Sequence, residues 1–173
     1  MEKNIHIKLM KNQAPLQNLA DFDNKSLLIV DDDKPVRERL SRAMAKKGLE
    51  VLQAESVQNG KDMVKVKKPG VAVVDLRLND GNGLEVVKEI QSSNSLSRII
   101  MLTGYGNIPT AVAAIKEGAI DYLAKPADAD DVEKALLADP SKKAAPPENP
   151  MSADRVKWEH IHRVFELCNR NVS

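Results

Sequence analysis

Five residues whose side chains could share chemistry stand where apolar runs stop. Ser26–Val30 runs into Asp31-Asp32-Asp33, and Val71–Val74 runs into Asp75. Arg98–Leu102 ends in Thr103, and Ile120–Ala124 ends in Lys125-Pro126. If these ends meet, Asp31, Asp32 and Asp75 crowd together. Like charges at that range raise each other's pKa unless a cation relieves them. Mg2+ suits such a place, because it takes oxygen ligands and is usually held by one or two carboxylates plus a phosphate. Lys125 adds a second cation, and Thr103 adds a hydroxyl that can donate to an anion. A carboxylate nucleophile, a divalent metal, an ammonium and a hydroxyl together make a site for accepting a phosphoryl group. The cations neutralise charge on the transferring oxygens, and the product is an aspartyl phosphate.

Those ends meet only if the right elements carry them. Short runs rich in Val and Ile read as strands buried on both faces, as in a parallel sheet. They cover 26–30, Leu49–Ala54, 71–75, 98–103 and 120–124. Helices separate them. Pro35 suits a first helical turn, and Val36, Leu40, Ala43 and Met44 recur on one face until Gly48 stops the helix. A second helix spans Val57–Val66 and ends at Lys68-Pro69-Gly70. After Asp75 come two more residues of strand character and the turn-forming cluster Asn79–Gly83. A helix then runs from Gly83 to about Gln91, followed by a loop over Ser92–Ser97. Pro109–Glu117 is helical and stopped by Gly118, and Asp128 can cap a last helix to about Ala138. Five strand–helix units predict an α/β fold with a five-stranded parallel sheet and helices on both faces. Right-handed crossovers put the carboxyl ends of all five strands on one edge, where such sheets place their ligands.

The bulk properties agree. Hydrophobic residues make up 42% and charged residues 29% of 173, a soluble globular balance. A net charge of +1 recruits neither nucleic acid nor membrane, and 3% aromatics argues against base stacking. No apolar run reaches the roughly 18–20 residues of a membrane span, so no membrane insertion is expected. The first residues lack a signal peptide's apolar core. One cysteine excludes an internal disulfide, and a cytoplasmic location follows. Residues 1 to about 24 read as an extension with little structure of its own, with Ile5–Ile7 able to pair weakly at a sheet edge. Residues 25–138 form the α/β domain. Residues 139–150 contain four prolines and read as a semi-rigid linker. Residues 151–173 open a final helix with Ile161, Val164, Phe165, Cys168 and Val172 on one face.

The set Asp31-Asp32, Asp75, Thr103 and Lys125-Pro126 resembles the receiver domain of bacterial two-component response regulators over about residues 25–138. The resemblance implies a flavodoxin-like, CheY-like fold with strand order 2-1-3-4-5. It implies Asp75 as phosphoacceptor for a membrane sensor histidine kinase. Asp32, Asp75 and the backbone carbonyl of Arg77 would ligate Mg2+ directly, with Asp31 acting through a water. Thr103 would bond the phosphoryl oxygen and Lys125 would pair with it, next to a cis Lys125–Pro126 peptide. Tyr122 matches an aromatic switch that turns inward on activation. The implied output surface comprises the fourth helix, fifth strand and fifth helix, about residues 107–138. The stretches Leu102–Ile108, Asp121–Asp131 and Glu148–His160 further resemble the RegA/PrrA/ActR group of redox-responsive global transcription regulators, which carry a Fis-type output domain with a helix-turn-helix. In that group Asn171–Ser173 leads into the helix-turn-helix. Residues 151–173 thus correspond to a first output helix, and this chain is not expected to read DNA alone, although the full-length family does. A homodimer, or a heterodimer with a full-length regulator, is the implied assembly.

Blander readings compete at each residue. Asp31–Asp33 alone would cap a helix, Thr103 would cap a loop, and Lys125 would be a solvated loop lysine; their joint order favours the site. Arg77 and Tyr105 are either two loop side chains or screens that keep water from an aspartyl phosphate. Cys168 on an apolar face reads as packing, Trp158 likewise, and His6, His160 and His162 lie apart from the site. The chain reads as a phosphoacceptor rather than an enzyme. An aspartate-based phosphatase of the haloacid dehalogenase kind ranks second, since such enzymes need an acid where Arg77 stands. A flavin- or nucleotide-binding module ranks last, because Asp31–Asp33 replaces the phosphate-cradling glycines such a loop requires.

Overall fold

Leu27–Val30, Val71–Val74 and Ile99–Leu102 are buried at every position. Strands with apolar side chains on successive residues need cover on both faces. In the computed structural model, which describes residues 16–104 and 113–139, helices supply that cover. The described residues all belong to the first of two units, Met1–Lys143. The strands are β1 (Ser26–Val30), β2 (Glu50–Ala54), β3 (Val71–Asp75), the two-residue strands β4 (Arg77–Leu78) and β5 (Gly81–Asn82), β6 (Arg98–Gly104) and β7 (Asp121–Lys125). β2-β1-β3-β6-β7 form one parallel sheet, and β4 and β5 pair as a separate antiparallel hairpin. With the hairpin left out of the count, this is the expected order 2-1-3-4-5.

The helices are α1 (Lys34–Lys46), α2 (Val57–Lys67), α3 (Leu84–Ser93), α4 (helical over 113–116 among the described residues) and α5 (Ala129–Leu137). Alternate strand residues point to opposite faces. Leu28, Val30, Ala72, Val74, Ile99 and Met101 pack with Val57 and Val64 of α2, Val86 and Ile90 of α3, and Ala114 of α4. Leu27, Ile29, Val71, Val73, Ile100 and Leu102 pack with Leu40 and Met44 of α1 and Val132 and Leu136 of α5. The register sets the functional edge. Val30 lies level with Val74, Asp75 with Leu102, and Gly104 with Lys125, so Asp31, Asp75, Thr103 and Lys125 all reach the same rim.

Four expectations need correction. The buried stripe of α1 is Arg37, Leu40, Ser41 and Met44, an i, i+3, i+4, i+7 series from Arg37 that leaves Val36 and Ala43 half-buried at its edge. α3 continues past Gln91 to Ser93. The last strand is shifted by one residue, so Lys125 lies within it rather than after it. The N-terminal extension is not structureless from residue 16 onward. Leu19–Asp21 forms a 3-10 turn with a capping box between Asn18 and Asp21. Such a turn aligns i and i+3, so Leu19 and Phe22 enter the α1–α5 core together. Burial of each contributes about 1.5–3 kcal/mol. Leu16, Leu19 and Phe22 recur every third residue, but three positions are too short a pattern to stand out beside Pro15 and the Asn residues. Ile5–Ile7, residues 140–150 of the proline-rich linker and residues 151–173 lie outside the described residues.

Candidate functional site

β1 delivers Asp31 into the interior, where it is fully buried. Its amide donates to the Ala54 carbonyl at 3.1 Å, which ties it to the end of β2. Its Oδ1 accepts from the Asp33 amide at 2.9 Å. Asp33 is itself the cap of α1, accepting from the Val36 amide at 3.1 Å. The acidic run therefore divides its work: Asp33 caps, while Asp31 and the half-buried Asp32 face the rim. β3 places Asp75 beside them, 6% exposed. Asp31, Asp32 and Asp75 each offer one oxygen, and these oxygens lie within 4.8 Å of one another.

Lys125 joins the group from β7. Its Nζ lies 2.7 Å from Asp31 Oδ2 and donates to Asp75 Oδ2 at 2.8 Å. The ion pair with Lys125 is the contact that the buried Asp31 Oδ2 makes among the described residues. Burial pushes the Asp75 carboxyl above the ordinary range, against the opposing pull of Lys125 and the Arg77 amide. Burial also acts to lower the Lys125 ammonium, but Asp31 and Asp75 outweigh it and hold the group above its ordinary value. One ammonium thus serves two buried carboxylates, and burial still leaves Asp75 above its ordinary range. Three carboxylate oxygens this close, sharing one ammonium, fit a hard divalent cation with oxygen ligands, as Mg2+ is.

The loop after Asp75 is held close by sequence. Gly83 donates to the Leu76 carbonyl at 2.9 Å. A Cβ at Gly83 would overlap the Asp75 carbonyl oxygen and meet the Val74 side chain at 2.9 Å, so only glycine lets the loop fold back under the carboxylate. Asp80 in the same loop accepts from the Val57 and Gln58 amides at 2.8 and 3.1 Å, which anchors the loop to the start of α2.

Of the expected site residues, Asp31, Asp32, Asp75 and Lys125 come together. Lys125 is half-buried and bonded rather than solvated. The Lys125–Pro126 peptide is cis. Thr103 lies level with Ala124 at the end of β6, and its hydroxyl lies outside the described residues. Tyr122 is half-buried against the α2–α3 core. Arg77 is exposed and pairs with Asn82 across the small hairpin. Tyr105, Trp158, Cys168, His6, His160 and His162 lie outside the described residues. Two residues escaped the sequence reading. Arg37 is buried and donates from Nη1 to the Asp31 carbonyl at 2.5 Å. Its signal was an arginine on the apolar stripe of a helix. Asp80 gave no signal beyond membership of a turn.

Among the described residues, no helix is long and apolar enough to cross a membrane. A family model described as the response regulator receiver domain matches residues 27–137. The acid tolerance regulatory protein ActR of Sinorhizobium medicae (strain WSM419) is 57% identical over 164 residues, covering 92% of this chain and 84% of the relative. The photosynthetic apparatus regulatory protein RegA of Rhodobacter capsulatus is 59% identical over 150 residues, covering 87% of this chain and 82% of the relative. Among solved structures, a response regulator from Burkholderia pseudomallei, described with a phosphorylated aspartic acid, a calcium ion and citrate, matches with a TM-score of 0.67 at 35% identity over 86% of this chain and 88% of that one. These matches give no support to a haloacid dehalogenase-type phosphatase. The parallel sheet, its acidic rim and these relatives lead to one identification: the chain belongs to the response regulator receiver domain family.

Proposed function

We propose that Asp75 accepts a phosphoryl group from a sensor histidine kinase, and that the aspartyl phosphate shifts the surface of about residues 107–138 between two states to control transcription. The convergence of Asp31, Asp32, Asp75 and Lys125 at one rim carries this reading. A carboxylate oxygen of Asp75 attacks phosphorus; the new O–P bond forms as the bond from phosphorus to the donor breaks. Asp32, Asp75 and the Arg77 carbonyl would hold Mg2+ directly, with Asp31 acting through a water. When bound, the metal neutralises charge on the phosphoryl oxygens. The calcium ion and phosphorylated aspartate described for the Burkholderia regulator support both assignments.

Lys125 already bonds Asp75, so it stands ready to pair with a phosphoryl oxygen once the carboxylate is esterified. Thr103 would donate its hydroxyl to another such oxygen. Tyr122, packed at the edge of the α2–α3 core on β7, would move with that change and alter the neighbouring surface. Dimerisation through that surface is the output we favour, in the cytoplasm, with redox or global regulation suggested by the RegA and ActR relatives. The test is transfer from a phosphorylated histidine kinase, followed by borohydride reduction and peptide mapping. The expected product is homoserine at position 75, and the phosphorylated chain, before reduction, is expected to sediment at twice its mass. Label recovered on any other residue contradicts the assignment, and an unchanged mass contradicts dimerisation.

A further inference from the structure

We propose that Arg37 is a positioning residue for the acidic rim, holding Asp31 and Asp32 in the geometry that binds a divalent cation. The proposal rests on the phosphoacceptor reading and extends it behind the pocket. Arg37 lies on the core-facing stripe of α1, and its side chain is only 9% exposed. A guanidinium is always charged and has no way to neutralise itself, so burying one requires a partner. Its partners are specific. One is the carbonyl of Asp31 at 2.5 Å. The other is Glu55 at 3.7 Å, on the residue that follows β2 and is itself exposed. Arg37 thereby bridges the two loops that flank Asp31, while the Asp31 amide is fixed to Ala54 beside Glu55.

The consequence is mechanical. Asp31 and Asp32 follow β1 directly and have no strand pairing of their own. Four contacts set the Asp31 residue: the Ala54 carbonyl and the Arg37 guanidinium hold its backbone, and the Asp33 amide and the Lys125 ammonium hold its carboxylate. Of the two contacts on the backbone, the Ala54 bond is neutral; the charge-assisted and stronger one comes from Arg37, the residue that α1 buries. A charge-only role would have the opposite sign. A cation removed from beside three carboxylates would strengthen Mg2+ binding. Because Arg37 bonds a backbone carbonyl rather than a carboxylate, its loss loosens the ligands, and looser ligands bind more weakly.

The test is Mg2+ titration by calorimetry on the full chain, for wild type, Arg37→Gln, Arg37→Lys, Glu55→Gln and Asp75→Asn, with melting curves in the absence of metal. Arg37→Gln is expected to weaken Mg2+ about ten-fold, the usual cost of losing a partner behind a metal ligand. Arg37→Lys keeps the charge without the planar fork and is expected to weaken it by about three-fold. Glu55→Gln leaves affinity within about two-fold, since its contact is exposed. At saturating Mg2+, the rate of adduct formation with acetyl phosphate in Arg37→Gln returns to within about two-fold of wild type, which a general loss of structure would not allow. Unchanged or tighter Mg2+ binding in Arg37→Gln overturns the proposal. If that variant does not fold, wild-type affinity in Arg37→Lys overturns it. Absence of Mg2+ binding in wild type overturns the phosphoacceptor reading itself, and Asp75→Asn locates the metal independently of Arg37.

Discussion

Ser41 carries a hydroxyl into the buried side of α1, and its Oγ has no hydrogen-bond partner among the described residues. An unsatisfied buried hydroxyl costs about 1–3 kcal/mol. Ser41→Ala removes it and supplies a better helix former, so it should stabilise the domain by about 1 kcal/mol in urea unfolding. A destabilised variant would mean the hydroxyl is satisfied after all. Gly83→Ala acts in the other direction. Its methyl would strike the Asp75 backbone, which has nowhere to go, so a loss of about 2–3 kcal/mol is expected together with slower adduct formation. Wild-type stability with a wild-type adduct rate would contradict the tight packing of this loop. At this scale the sequence was most informative where side-chain chemistry contradicts its setting. Asp75 and Lys125 end apolar runs, and such placement has no packing rationale. Arg37 was legible in principle by the same reasoning, but apolar periodicity along α1 does not mark the polar members of its stripe. Its partner, a backbone carbonyl, has no sequence signature at all.

The strands and helices themselves were legible because they are long and periodic, and most ends lie within a residue or two of the expected ones. The elements that were missed are short. The β4–β5 hairpin consists of two residues on each side; its first side follows the strand character read after Asp75, but its second lies inside the cluster read as turn, with Gly81 at φ +157. The anchoring of this loop to α2 joins residues 23 apart, Asp80 and Val57, which local capping rules do not detect. That anchor carries a pH signature. Hydrogen bonds from the Val57 and Gln58 amides hold the Asp80 carboxyl below the ordinary carboxylate range. A carboxylate whose folded-state pKa is depressed adds stability above its unfolded value, about 3.9, and loses it as pH falls through the lower folded value. Asp80→Ala should therefore lower the melting temperature at neutral pH. The gap to wild type should close progressively as the pH drops below about 4. A gap that persists undiminished into strong acid would show that the loss is not electrostatic.

For the whole molecule, the proposed chemistry falls on one edge of one sheet, and the described strands and helices fix that edge in place. The parallel order was legible because βαβ spacing and right-handed crossovers leave few alternatives. The N-terminal segment was not, since Leu16, Leu19 and Phe22 form only one short i, i+3 pattern in polar company. Yet Phe22 packs into the α1–α5 core, and its ring lies 6.0 Å from the Arg98 guanidinium, which donates to the Leu136 carbonyl at the end of α5. Phe22→Ala should cost about 3 kcal/mol by urea unfolding while leaving the acidic rim able to bind Mg2+. Wild-type stability would show that the segment does not belong to the core. The central claim is that Asp75, with a divalent cation, takes up a phosphoryl group. Intact mass spectrometry after incubation with acetyl phosphate tests it most directly, with and without Mg2+, for wild type and Asp75→Asn. The account predicts one phosphoryl adduct on wild type that requires Mg2+ and is absent from Asp75→Asn. An adduct that survives in Asp75→Asn, or none on well-folded wild type with Mg2+ present, would contradict it.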